Sequence, residues 1–137
     1  MSENLELVRR EYVALAARDW DALAEVWHPD IEYEALDPAT YRGLDELKED
    51  FMGWSDLYAE WWVEVDEIVD AGDLVAVAET FGGRGIKGSQ VDTRLEQKVA
   101  RLIRFKDGRI WRSKEYPTLR EALEAVGLSE QDAHADS

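Results

Sequence analysis

The sequence predicts an α+β fold, with helices laid on one face of a strongly curved, mostly antiparallel sheet. Three observations predict it. Segments with helical apolar spacing come first, long alternating segments follow, and the last two of these meet at the tight turn Lys106-Asp107-Gly108. With 137 residues the chain suits a single domain, expected over residues 1–128, with a small polar tail at 129–137 expected to be disordered.

Asn4 can cap a first helix in which Leu5, Val8, Tyr12 and Leu15 share a face. Asp19 can cap a second, short helix through Trp20, Leu23, Val26 and Trp27, which His28-Pro29-Asp30 ends because proline cannot continue it. Ile31 to Ala35 alternates as a short strand with Ile31, Tyr33 and Ala35 on one side. Asp37-Pro38 opens a loop to Gly43, and a third helix carries Leu44, Leu47, Phe51, Trp54 and Tyr58. Trp61 to Val69 and Leu74 to Phe81 alternate as strands about the turn Asp70-Ala71-Gly72-Asp73. Gly82 to Ser89 reads as a flexible, glycine-rich connection; no helix follows it, so it is not a phosphate loop. Thr118 caps a last helix through Leu119, Leu123 and Val126, with Gly127 as its stop.

The segment from Val91 to Tyr116 forms a long hairpin whose register charge decides. A two-residue Asp107-Gly108 turn would set Arg101 against Lys114, and like charges directly opposite destabilise a sheet. A three-residue loop with Gly108 in a left-handed bulge instead pairs Phe105 with Arg109, Ile103 with Trp111, Arg101 with Ser113 and Val99 with Glu115. The second register is expected. It places Gln97, Val99, Arg101 and Ile103 with Trp111, Ser113 and Glu115 on one face, the floor of a small-molecule cavity. The other face, with Ala100, Leu102 and Ile110 among cations, is also half apolar, so a second subunit is expected there.

Composition excludes several function classes. Cysteine is absent, which removes disulfides and thiolate chemistry and fits a cytoplasmic location. No apolar run approaches the roughly 18 residues of a membrane span, and MSENLELVRR lacks a signal-peptide core. A net charge of −15 with singly placed cations points away from nucleic acid and anionic membranes. Two histidines far apart, His28 and His134, argue against a metal site.

The segments ARDWDAL, WHPDIEY, YRGLDEL and RFKDGRIWR…EYPTLREALEAVGL together resemble the SnoaL-like (polyketide-cyclase-like) branch of the nuclear-transport-factor-2-like superfamily, from Leu5 to Leu128. The resemblance implies a sheet forming a cone wrapped by three helices, an internal pocket, and usually a homodimer through the sheet's outer face; no cofactor is expected. Fold does not fix activity in such families. Against limonene-epoxide-hydrolase-like members, Glu115 matches an acid and Tyr33 a first-strand tyrosine, but their asparagine is Ala35 here; Glu79 stands near their aspartate, and Arg101 is the available arginine. Against ketosteroid-isomerase-like members an ungapped match puts the general base at Ala35, and only a two-residue insertion brings Asp37-Pro38 into register; the oxyanion-hole acid falls at Arg101, and their helix tyrosine lies one position from Tyr12.

The candidate catalytic residues are therefore Glu115, Arg101, Glu79 and Tyr33. A carboxylate among Trp111, Ile103 and Val99 is desolvated and, unless paired, shifted toward the range useful to a general acid or base. Its structural alternative is an ion pair with Arg101. Alternation leaves Glu79 facing either the interior or solvent. Tyr12, Trp54, Gln97, Trp111 and Ser113 are expected to line the pocket. The expected function is binding or acid/base transformation (isomerase, cyclase or epoxide-hydrolase type) of a small, largely apolar molecule with one oxygen function. The alternative is a non-catalytic oligomerisation or ligand-sensing module with a structural polar network.

Overall fold

The computed structural model describes residues 2–90 and 92–128, so the tail expected over 129–137 lies outside the described residues. The elements in order are α1 (Glu3–Ala17), α2 (Trp20–Val26), β1 (Trp27–Glu34), β2 (Thr40–Arg42), α3 (Leu44–Leu57), β3 (Tyr58–Asp70), β4 (Leu74–Ile86), β5 (Arg94–Lys106), β6 (Arg109–Tyr116) and α4 (Leu119–Ala125). Six strands form one curved, unclosed sheet in the order β2-β1-β6-β5-β4-β3, antiparallel except where β1 runs parallel to β6.

Local chemistry sets the helix starts. The Ser2 hydroxyl, rather than Asn4, accepts the Leu5 amide at the start of α1, while the Asn4 side chain donates to the Gly72 carbonyl at 2.9 Å. Asp19 and Thr118 cap α2 and α4 as their types predict. α2 stops at Val26, and Trp27, His28 and Pro29 belong to β1. The Asp37–Gly43 loop contains the short strand β2.

β4 does not end at Phe81. It continues through Gly82-Gly83-Arg84-Gly85 to Ile86, paired throughout with β3. Glycine is required at two of these positions by close approach. A Cβ on Gly83 would lie 2.2 Å from the Tyr58 ring, and one on Gly82 would lie 2.5 Å from the Leu95 carbonyl oxygen. The stretch read as flexible is therefore strand, with glycine admitting two aromatic rings onto the sheet.

Two cores occupy opposite faces. Leu7, Val8 and Leu15 of α1, with Leu23, Leu47 and Phe51, pack on Ile31, Val75, Val77, Ile103 and Ile110 of the inner face. Leu119, Ala122 and Leu123 of α4 pack on Ala76, Ala100 and Leu102. Three helices thus wrap one face, and the fourth covers the other. The half-apolar second face of the hairpin, taken from the sequence as a sign of a partner subunit, is covered by the chain's own α4 at Ala100 and Leu102.

The expected hairpin register is not formed. Asp107 and Gly108 both have positive φ (54° and 73°), the geometry of a two-residue turn, and Lys106 pairs with Arg109 and Phe105 with Ile110. A bulge then admits Trp111 as an extra residue. Beyond it Arg104 pairs with Arg112, Ile103 with Ser113, and Arg101 with Glu115. Moving the bulge off the turn resolves the charge conflict by another route: Arg101 meets Glu115, and Lys114 meets Leu102. The new opposition of Arg104 and Arg112 is relieved because the Arg112 guanidinium lies 3.9 Å from the centroid of the Trp111 ring and 3.3 Å from Glu32. Relative to the expected pairing, β6 is displaced by two positions, so Ser113 and Glu115 keep their face. Trp111 does not: Ile110 enters the core in its place.

Candidate active site

α1 delivers two polar groups into the core. Glu11 and Tyr12 lie on the buried face with Val8 and Leu15, and Glu11 is 1% exposed. Arg101, also 1% exposed, reaches them from β5. Its guanidinium donates to Glu11, to Glu79 Oε1 at 2.8 Å, to the Tyr12 hydroxyl at 2.8 Å and to Ser113 Oγ at 3.0 Å. The Tyr12 hydroxyl donates in turn to Glu79 Oε1 at 3.1 Å, and the Trp27 indole N–H donates to Glu11 Oε2 at 2.8 Å. Buried polar groups are stable only with such partners, and no buried side-chain polar atom among the described residues lacks one.

The cluster shifts its members. Burial would lower Arg101, but Glu11, Tyr12 and Glu79 more than offset it and raise its pKa well above the usual range. Burial raises Glu79, Arg101 and the Tyr12 hydrogen bond oppose the rise, and Glu11 and Glu115 add to it. Burial likewise pushes Tyr12 and Tyr33 well above 10.0, with Arg101 opposing and the nearby carboxylates reinforcing.

The two tyrosines give a sign that can be checked. Each holds its proton more tightly folded than unfolded, so its contribution to stability is complete below pH 10.0 and is lost as pH rises beyond it. In an alkaline titration followed by phenolate absorbance, Tyr12 and Tyr33 should ionise only together with loss of the fold. Titration of all five tyrosines near pH 10 with the circular dichroism unchanged would contradict this burial.

Beside the cluster lies a cavity of about 220 Å³, bounded by α3, the α1 residue Leu15, and the inner face of β1, β3, β4, β5 and β6. Phe51, Trp54, Trp61, Val63 and Phe81 supply its apolar wall; Tyr33, Glu79, Gln97 and Glu115 supply polar groups. The Tyr33 hydroxyl donates to Glu115 Oε2, and the Leu36 amide donates to Glu115 Oε1 at 3.1 Å. Tyr33 is held in turn by an edge-on contact with Phe51 at 5.8 Å.

The residues singled out from sequence are thus divided between two places. Glu115, Tyr33, Glu79, Gln97 and Trp54 face the cavity. Arg101, Tyr12 and Ser113 lie behind its wall in the buried cluster, where Arg101 bonds Glu79 and not Glu115. Trp111 is outside both, flanked by Lys106 and Arg112. His28, read from the sequence as part of a helix end, is buried between Asp107 of the hairpin turn and the Asp30 amide.

Sequence reasoning missed Glu11, although a glutamate three residues after Val8 and four before Leu15 on an apolar helix face was a readable signal. It also missed Tyr41 and Asp50 on the cavity wall, and Asp37, reached in the family match only through an insertion, was not carried into the site. Burial raises the Asp50 carboxyl, a hydrogen bond from Tyr41 opposes this, and Glu115 and Asp37 add to the rise. Among the described residues no group of His, Cys, Asp and Glu side chains is placed to hold a metal ion, and no helix is long and apolar enough to cross a membrane.

Comparison with known proteins places this architecture. A Catenulispora acidiphila protein of ketosteroid-isomerase-like fold, solved with trimethylamine, superposes with a TM-score of 0.69 at 24% identity over 92% of this chain and 95% of its own. TerC, co-crystallised with polyporic acid, gives 0.71 at 20% identity over 90% and 97%. An epoxide hydrolase of the LEH-like type from M. tuberculosis gives 0.68 at 20% identity over 85% and 79%. At these identities the likeness is one of fold. No curated protein sequence matches the chain. The sequence profile of the SnoaL-like domain matches residues 8–113, most of the chain, and the protein belongs to the SnoaL-like domain family.

Proposed function

We propose that this protein binds a small, largely apolar molecule in the cavity and transforms it by cofactor-free acid/base chemistry. The observation that carries this reading is that Glu79 and Glu115 face a space of ligand size whose wall combines these and other polar groups with Phe51, Trp61, Val63 and Phe81. An apolar cavity of about 150 Å³ admits benzene, so 220 Å³ fits a one-ring molecule or a compact terpenoid. Glu115 is the acid or base, and Tyr33, bonded to it, orients the substrate. Glu79 reaches the cavity from the cluster, and Arg101 is a positioning residue that fixes Glu79 and Tyr12. The solved relatives carry an amine in one case and an acid in another, and a third is an epoxide hydrolase, so they favour a small-molecule role without selecting a reaction.

The same reading includes a cytoplasmic homodimer. Because α4 covers Ala100 and Leu102, its interface would use the remaining outer surface around Trp62, Arg84 and Arg94, where exposed ion pairs such as Arg84–Asp92 lie. Light scattering giving a monomer at micromolar concentration would remove the dimer and leave the cavity untouched.

A second reading, a non-catalytic sensing or assembly module, is favoured by the completeness of the Arg101 cluster, which meets all of its own bonding needs. A thermal-shift screen of one-ring aromatics and terpenoids separates the readings, with Val63→Phe as control because the larger ring fills the cavity. Ligands that raise the Tm of the wild type and not of Val63→Phe are expected. Equal shifts in both proteins, or none in either, would remove the ligand reading.

A further inference from the structure

The charge around the cavity restricts what can enter. Its wall contains four carboxylates, Asp37, Asp50, Glu79 and Glu115, and no lysine, arginine or histidine. The nearest cation, Arg101, is buried behind the wall and already bonded to Glu11 and Glu79. It offers no donor to a ligand. An anionic ligand would meet acid groups without a counter-charge, in a protein whose net charge is −15.

The same wall carries the faces and edges of aromatic rings. Trp61 and Phe81 stand 6.2 Å apart and tilted, Tyr33 and Phe51 meet edge-on, and Trp54 lies at the rim, 46% exposed, near the exposed Asp37. Aromatic faces attract cations through the ring quadrupole, and the attraction grows as the cation is desolvated. Aromatic rings with carboxylates at the entrance and on the floor, in a partly open cavity of about 220 Å³, match an organic ammonium ion with a small apolar body. Inorganic cations fit poorly, since half the wall offers them no oxygen.

We infer that the ligand of this cavity is a protonated or quaternary amine carrying roughly one ring, held between the aromatic wall and the carboxylates of Asp37, Asp50 and Glu115. This rests on the ligand reading above and adds the charge of the ligand to it. Asp37 and Asp50 attract and hold the ammonium group, and Glu115 lies deeper beside Tyr33.

Three probes of one shape and different charge test it at neutral pH: benzylamine, benzyl alcohol and benzoate, each titrated calorimetrically into the intact protein. Benzylamine should bind roughly tenfold more tightly than benzyl alcohol, weakening with added salt, and benzoate should bind least. The double variant Asp37→Asn, Asp50→Asn should lose roughly tenfold in benzylamine affinity and keep its affinity for benzyl alcohol, which shows at once that it is folded. Benzyl alcohol or benzoate binding as tightly as the amine, or benzylamine binding unchanged in the double variant, would overturn the inference and leave the cavity a ligand site. Failure of all three probes to bind, in wild type and Val63→Phe alike, would overturn the cavity reading along with it.

Discussion

Replacing Arg101 with methionine is expected to cost about 3–5 kcal/mol of folding stability, enough to unfold a domain of ordinary stability or bring it close to unfolding. Methionine keeps much of the side-chain length, so packing is not the main loss. The loss is electrostatic: Glu11 and Glu79, both buried, would share one region of low dielectric with no cation between them. A buried ion cluster is not itself strong evidence of stabilisation, but removing one member of it is costly. The cause can be isolated by neutralising the orphaned partners. Arg101→Met combined with Glu11→Gln and Glu79→Gln should recover most of the loss, because each glutamine keeps an acceptor for Trp27 or Tyr12. Urea unfolding with an unchanged slope measures both effects. A single Arg101→Met variant within about 1 kcal/mol of wild type would show that the cluster does not hold the inner face together.

Glu115→Gln should abolish turnover of a substrate found by the ligand screen, with a loss of roughly 10²–10⁴-fold in kcat, the usual contribution of a positioned acid or base. The folded state should survive. Glu115 is only partly buried, and an amide oxygen can still accept from Tyr33 or from the Leu36 amide. Tyr33→Phe should act differently, raising KM more than it lowers kcat, because it orients the ligand and leaves the proton-transferring group in place. Turnover unchanged in Glu115→Gln would take the residue out of the mechanism. A lowered Tm with unchanged ligand response would support the non-catalytic reading.

How much of this was legible in the sequence follows from the range of each interaction. Periodicity and capping are local, so Asp19 and Thr118 start their helices where their types require, and Tyr33 faces inward with Ile31. The position of the bulge is not local. Asp107-Gly108 could close either a two- or a three-residue loop, and the register formed is the one in which Glu32 of β1 and the adjoining Trp111 receive Arg112, and Arg101 of β5 stands opposite Glu115. The face of Glu115 was nevertheless read correctly, because a shift of two positions preserves the alternation. Trp111 lay at the bulge itself, where alternation breaks, and its placement failed for that reason. Glu11 was legible as a charge on an apolar helix face, but its meaning needed Arg101, ninety positions away in the chain. Gly82 and Gly83 looked like a flexible loop because glycine marks turns as often as close approach; only the rings of Trp62 and Tyr58 distinguish the two.

The space between α3 and the inner face of the sheet is, on this proposal, where the protein meets its ligand. A crystal structure of the protein grown with benzylamine tests it most directly. The ring is expected between Phe51 and Trp61, with the nitrogen within hydrogen-bonding distance of a carboxylate of Asp37, Asp50 or Glu115. Density for the amine only on the outer face, with the space beside Tyr33 empty, would contradict it.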